Sequence, residues 1–153
     1  MSYLILVLTQ LNSKSFLKRK NFLISIESVS NFRDVSIGSK MKKNLLFRCA
    51  KLSTLNERDI RVLENLNPHA IIDFRDPKEI EKAPDNLSSI LLEKYINLPI
   101  SASTLSRMVA QKEIDGDSVK SYEKVMEDSY RMYINNHKEV WIKFFEILLQ
   151  SKK

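Results

Sequence analysis

The apolar positions of this chain change their spacing repeatedly, from short unbroken runs to a helical period. Tyr3 to Leu8 is apolar throughout and suits a first β-strand, or a leader that belongs to no domain. No basic stretch precedes it and no small-residue cleavage pattern follows, which argues against a secretory signal. It also falls well short of the roughly 18–20 apolar residues of a membrane span. Residues 12–20 read as a basic connector. Phe22, Ile24 and Ile26 alternate with Asn21, Leu23, Ser25 and Glu27, a pattern that predicts a half-buried strand. Residues 31–43 are polar and basic and read as a loop, and Leu45 to Phe47 as a short strand. Thr54-Leu-Asn-Glu57 has the spacing of a capping box. The helix after it places Leu55, Ile60, Leu63 and Leu66 mostly on one face and ends at Pro68.

Further along, Ala70 to Phe74 is a brief apolar run of the kind buried on both faces of a parallel sheet. Asp76-Pro77 opens a short acidic helix with proline at its first position. Tyr95, Ile96 and Leu98 predict another strand, stopped by Pro99. From Ser118 a helical period returns at Val119, Tyr122, Val125/Met126, Tyr130 and Tyr133. Val140, Trp141, Phe144, Phe145, Leu148 and Leu149 form a wide stripe on a last helix. Strands alternating with helices predict an α/β layered domain.

Composition narrows this picture. A length of 153 residues suits one domain of roughly 100–200 residues. The two glycines, Gly38 and Gly116, are too far apart for a Gly-rich phosphate cradle. One cysteine (Cys49) and two histidines (His69, His137) exclude a Cys/His zinc site and a disulfide framework, so neither metal nor cofactor is expected. A reduced, cytoplasmic setting is compatible with this. The net charge of +6 is uneven: residues 1–52 carry +8 and residues 53–153 carry −2. Such asymmetry points to an anionic partner or to a solvated basic face.

No complete catalytic site emerges from spacing. A thiolate nucleophile for phosphoryl transfer needs an anion nest and an arginine, usually as Cys-x5-Arg. Six residues after Cys49 stands Leu55, and the next arginine is Arg58. Cys49 therefore reads as a small buried residue after a strand. His69, beside Pro68, and His137, beside Asn136, read as turn residues. No carboxylate pair is singled out by its spacing as acid and base.

Three segments carry a resemblance. Asn31-Phe-Arg-Asp-Val35 comes first, then Leu46-Phe-Arg-Cys-Ala50 with Leu52 and Ser53, then Ile71-Ile-Asp-Phe-Arg75 with Glu79. In order and spacing they resemble the front half of the tyrosine-phosphatase-like family of bacterial and fungal dual-specificity type. There the segments read NFRD-x-GG, LFRSA-x-LS and IIDLR-x-x-x-E, and the likeness spans about residues 28–149. The resemblance implies a phosphotyrosine-phosphatase-like fold, a parallel sheet flanked by helices. It divides the chain into an N-terminal extension, residues 1–20, and the N-terminal portion of the phosphatase-like domain, residues 21–153. It also implies phosphomonoester hydrolysis through a cysteinyl-phosphate, with a phosphorylated protein or a phosphoinositide as substrate.

Departures from the family pattern matter as much. Ser36-Ile37 stands where the glycine pair is expected, and Cys49 where a serine is. The signature HC-x-x-GKDRTG, which in the family supplies nucleophile, phosphate-gripping arginine and general acid, has no counterpart in these residues. The fold is therefore expected to be cut short before the central strand that leads into that loop, and the chain to be inactive alone. A separately encoded C-terminal catalytic half is then a possible partner. The resemblance assigns supporting roles only. Arg33 and Asp34 buttress the phosphate loop, the plainer alternative being a surface ion pair. Arg48 ends a strand beside the site. Asp73 and Arg75 lie at the carboxyl end of the buried strand, where ligands of open α/β sheets gather. Glu79 either pairs with Arg75 or contacts substrate.

Without the missing strand, the Ile71–Phe74 segment is expected to lack a neighbour, leaving backbone groups unpaired and the chain aggregation-prone. Two other functions stay open: a pseudophosphatase module binding phosphorylated ligands through Arg33, Arg48 and Arg75, and a binder of anionic surfaces or nucleic acid. The basic runs Lys18-Arg-Lys20 and Lys40 to Lys43 have little aromatic interleaving, which disfavours nucleic acid.

Overall fold

The computed structural model describes residues 5–9, 24–38, 40–100 and 119–150. Five strands join in one sheet: β1 (Ile5–Thr9), β2 (Arg33–Asp34), β3 (Leu46–Cys49), β4 (Pro68–Asp73) and β5 (Tyr95–Asn97). Their spatial order is β2-β3-β1-β4-β5. β1 is antiparallel to both β3 and β4, so those two point the same way, and β5 runs parallel to β4. The short edge strand β2 is antiparallel to β3. The helices are α1 (Glu57–Leu66), α2 (Pro77–Lys82), α3 (Ser89–Leu92), α4 (Val119–Asn136) and α5 (Lys138–Gln150). The expected α/β architecture is thus present.

Two apolar layers sandwich the sheet. On one side Ile26, Val29, Phe47, Cys49, Leu52, Leu55, Leu63, Leu66, Ile71 and Leu91 pack together, drawing on α1 and α3. On the other, Leu46, Ala70, Ile72, Phe74 and Leu98 meet Phe144 and Ile147 of α5. β4 sends Ile71 to the first layer and Ile72 to the second, and both are fully buried. That is why Ala70, Ile71 and Ile72 are apolar in succession rather than alternating. Each such side chain contributes roughly 1.5–3 kcal/mol on burial.

Some local expectations shift. The capping box at Thr54 and Glu57 does not form. Thr54 lies in a 3-10 turn, Leu52–Thr54, and its hydroxyl donates to the Ser28 carbonyl (2.6 Å). The N-cap of α1 is Asn56, whose side-chain oxygen accepts from the Asp59 amide (2.9 Å). α1 ends on Asn67, left-handed at φ 46°, and β4 begins at the next residue. The strand expected around Ile24 and Ile26 is also absent over residues 24–26, and Phe22 lies outside the described residues. The next amides, Glu27 and Ser28, donate to the Asp59 carboxylate instead of to a strand ladder (3.0 and 2.8 Å).

The unpaired edge expected at β4 is not found, because β1 pairs with it on one side and β5 on the other. β1 lies within the residues read as an N-terminal extension and occupies the centre of the sheet. α2 forms as expected, with Pro77 in its first turn. The Asp76 side chain accepts from Lys78, and Glu79 accepts from the Asp76 amide. On α5, Phe144 is buried, whereas Phe145 and Leu149 are exposed. On α4 the side chains of Val119, Tyr122, Val125 and Met126 lie outside the described residues, as does the whole of residues 101–118. No helix among the described residues is long and apolar enough to cross a membrane.

Candidate functional site

The carboxyl ends of β4 and β5 lie side by side, and two of the charged residues singled out from the sequence, Asp73 and Arg75, stand there. Asp73 is the last residue of β4, and Arg75 follows two positions later. Both are buried, with side chains 0 and 1% exposed. The Arg75 Nε and Nη2 donate to the Asp73 carboxylate at 2.6–3.0 Å, and the Arg75 amide donates to the same group (2.9 Å). Nη2 also donates to Asp85, and Nη1 to the Ala83 carbonyl (2.8 Å). The planar guanidinium fork matches a carboxylate in a way that a lysine cannot. The Tyr95 hydroxyl donates to Asp73 (2.8 Å), and the Asn97 amide group donates to the Asp73 and Arg75 carbonyls (2.9 and 3.0 Å). Asp85 further accepts the Leu52 amide (2.7 Å), tying the network to the turn after β3.

The network sets the ionisation of its members. Burial pushes the Asp85 carboxyl up to about 6; the Arg75 charge opposes this and the Asp73 charge adds to it. Burial works against the Arg75 cation, yet its bond to Asp73 and the charges of Asp73 and Asp85 raise its pKa above the usual value. Tyr95 is raised by burial and by its bond to Asp73. Cys49, buried next to this cluster, has its thiol pushed up to about 12 by burial and by the charges of Asp85 and Asp73.

Arg33 and Arg48 occupy a different place. They are direct partners across β2 and β3, and Asp34 stands opposite Phe47. Arg48 lies two positions from Leu46 and so shares its face, the α5 side, whereas Asp73 shares the opposite face with Ile71. Arg33 donates to the Asn31 side chain (3.1 Å). Asp34 accepts from the Ser36 and Asn44 amides (2.8 and 2.7 Å), which pins both ends of the loop between β2 and β3. The Arg48 Nε is buried with no hydrogen-bond partner. Two like charges directly opposite on neighbouring strands repel. An anion set between them removes that repulsion.

The six residues named from sequence therefore separate into three groups. Asp73 and Arg75 come together in an internal lock, with Asp85 rather than Glu79 as the second carboxylate on the guanidinium. Arg33, Asp34 and Arg48 lie along β2 and β3. Glu79 completes the cap of α2. Sequence reasoning missed Asp85, Tyr95 and Asn97. Asp85 follows Pro84 without any distinctive spacing, and Tyr95 read only as an apolar strand residue. Asp59 was missed too: it is fully buried on α1 and accepts three bonds from Glu27 and Ser28. Burial acts to raise its pKa, but the Ser28 and Glu27 bonds prevail and hold it below the usual value. Among the described residues, no group of three His, Cys, Asp or Glu side chains is placed to hold a metal ion.

Comparison with known proteins adds one finding. Residues 24–153 match the model of a family described as the tyrosine phosphatase family. No curated protein and no solved structure matches the chain.

Proposed function

The chain belongs to the tyrosine phosphatase family, and from that premise we propose that these 153 residues form the scaffold part of a phosphatase domain and do not hydrolyse phosphomonoesters by themselves. The observation that carries this reading is the state of Cys49. The family's reaction transfers a phosphoryl group to a cysteine thiolate, so the thiol must ionise near neutral pH and face a phosphate held by an arginine. Cys49 is the one cysteine of the sequence, is 1% exposed, and has its thiol pushed up to about 12. Leu55 stands where the Cys-x5-Arg spacing calls for arginine. Arg75 does not substitute, since its Nε, Nη1 and Nη2 all donate inside the protein. Charge stabilisation alone does not replace the covalent step.

In this reading the nucleophile loop comes from polypeptide beyond these residues or from a separately encoded catalytic half. The completed domain acts on a phosphorylated protein or a phosphoinositide in the cytoplasm. The test is turnover of p-nitrophenyl phosphate by this chain, beside its Cys49→Ser variant. The expected result is no release of nitrophenolate above background from either. Turnover that survives Cys49→Ser would sink the proposal, and turnover abolished by that change would make Cys49 the nucleophile.

One observation favours a second reading, in which the chain binds a phosphorylated ligand without cleaving it. Arg33 and Arg48 face each other across two strands, and the Arg48 Nε lacks a protein acceptor. A phosphate oxygen would supply that acceptor and relieve the repulsion. Titration with a phosphotyrosine peptide tests this. Saturable binding that Arg48→Ala weakens at least tenfold supports it, and binding indifferent to Arg48 removes its basis.

A further inference from the structure

The loop between β2 and β3 presents apolar side chains and positive charge together. Ile37 is 72% exposed and Met41 47%. Lys40 precedes Met41, Lys42 and Lys43 follow it, and all three lysines are exposed. Among the described residues, no ion pair engages them. Residues 28–56 hold six Lys/Arg and a single acid, Asp34, a net charge of +5. That acid is committed to the base of the loop, where it accepts the Ser36 and Asn44 amides. Arg33 and Arg48, opposite each other on the two strands, carry the positive charge on toward the sheet.

The base of the loop is tied down and its tip stands clear. The Val35 amide donates to the Leu46 carbonyl (2.9 Å), and Ser36 is buried. Gly38 follows at φ 79°, with no atom within 4 Å of the place a Cβ would take. Ile37 is therefore held out in water rather than folded back onto a core. One exposed apolar residue is ordinary on a protein surface. Two of them beside three unpaired lysines set a narrower requirement. The lysines call for an extended layer of negative charge. Ile37 and Met41 call for an apolar medium directly behind that layer. An anionic lipid surface supplies both in that order. Nucleic acid meets only the first, because its bases are gripped by stacking, and residues 35–45 contain no aromatic side chain.

We propose that this loop is a docking tip for an anionic lipid surface, with Lys40, Lys42 and Lys43 on the headgroups and Ile37 and Met41 entering the layer beneath. The aliphatic stems of the lysines follow the apolar side chains inward while their ammonium groups stay with the headgroups. Charge and insertion act as two weak signals that anchor only in combination. The inference is independent of the catalytic reading. Turnover of an aryl phosphate by this chain would overturn that reading and leave this one standing.

The experiment is co-sedimentation of the full chain with phosphatidylcholine vesicles, with and without phosphatidylserine. Two variants divide the signals: Lys40→Gln/Lys42→Gln/Lys43→Gln removes the charge, and Ile37→Ser/Met41→Ser removes the apolar tip. All five side chains are exposed, so both variants are expected to fold as the wild type does. The wild type is expected to bind only the vesicles that contain phosphatidylserine, and to release as salt rises. The lysine variant is expected to bind about tenfold more weakly or worse. The apolar variant is expected to lose about threefold or more at unchanged charge. A polarity-sensitive dye on Ile37→Cys is expected to shift to the blue on the same vesicles. Absence of binding, or binding indifferent to the lysines, would overturn the proposal. Binding that ignores the Ile37/Met41 change and leaves the dye in water would overturn it too, as adsorption by charge alone. So would tighter binding to a single-stranded oligonucleotide or to polyglutamate than to the vesicles, which would assign the loop to nucleic acid or to an acidic protein.

Discussion

On the α1 side of the sheet, Leu63, Ile71 and Leu91 are fully buried, and three charged side chains, Asp73, Arg75 and Asp85, lie sealed among them. On the α5 side the same strands present Ile72 and Phe74 to Phe144 and Ile147, but the helix that covers them is apolar on its outer surface as well. Ile142, Phe145 and Leu149 stand 59, 57 and 63% exposed, with Tyr130 and Ile134 of α4 also outward. The difference teaches where ionic groups can be buried. A charged cluster is tolerable only where packing is closed and every donor finds an acceptor, because one partner left alone costs far more than the pair contributes. The α1 side meets that condition. The α5 side holds its aromatic group of Phe74, Trp141 and Phe144 by ring contacts at 5.5–6.1 Å, a looser requirement.

The largest effect should come from opening the sealed cluster. Arg75→Ala leaves Asp73 and Asp85 buried without their cation, and a loss of about 3–5 kcal/mol is expected in urea unfolding. A loss below about 1 kcal/mol would mean that the cluster is wetter than its burial implies. Next comes packing. Leu63→Ala should cost roughly 2–5 kcal/mol. Phe145→Ser on the other side should change stability by no more than about 0.5 kcal/mol. Equal costs at the two positions would break the comparison.

A third, smaller effect is pH dependence. The folded-state pKa of Asp85 is raised from its ordinary 3.8 to about 6, so the protonated form is favoured on folding. Its contribution is fully present below pH 3.8 and is lost as the pH rises through about 6. Asp59 runs the other way: its pKa is lowered, so its contribution is present above 3.8 and is lost as the pH falls through the folded value. Chemical unfolding between pH 4 and 7 should show the decline assigned to Asp85, and Asp85→Asn should flatten it. Smallest is the chemistry of Cys49, whose buried thiol should react with a disulfide reagent only as fast as the chain opens. Rapid labelling of the native chain would place that side of the sheet among the open ones.

What could be seen in the sequence was local. α2 followed from Asp76 and Pro77, and its capping bonds, from Lys78 to Asp76 and from Asp76 to Glu79, close within one turn. β4 followed from the brief apolar run at Ala70, Ile71 and Ile72, of the kind that a strand buried on both faces carries. What escaped was fixed at long range. Thr54 has the right neighbours for a capping box, but a carbonyl 26 residues away takes its hydroxyl. Asp59 looks like an ordinary first-turn acid until residues 27 and 28 fold back onto it. In the site, Asp73 and Arg75 were read from sequence as lying where ligands gather, and in the fold they bond to each other. Their partner Asp85 sits past an entire helix, and nothing local distinguishes it from the other carboxylates. The position of β1 was the least legible of all, because the order of strands in a sheet is decided by pairings that no sequence window contains.

The hand-off from α1 to β4 consists of a single residue, Asn67, between Leu66 and Pro68. So short a link behaves like a gear, coupling the rotation of the helix to the pleat of the strand. One inserted residue would turn the helix by about 100° or exchange the two faces of β4. In the second case Ile71 and Asp73 would trade sides with Ile72, sending the carboxylate into the aromatic layer. At this connection a change in chain length, rather than in chemistry, would dismantle the fold.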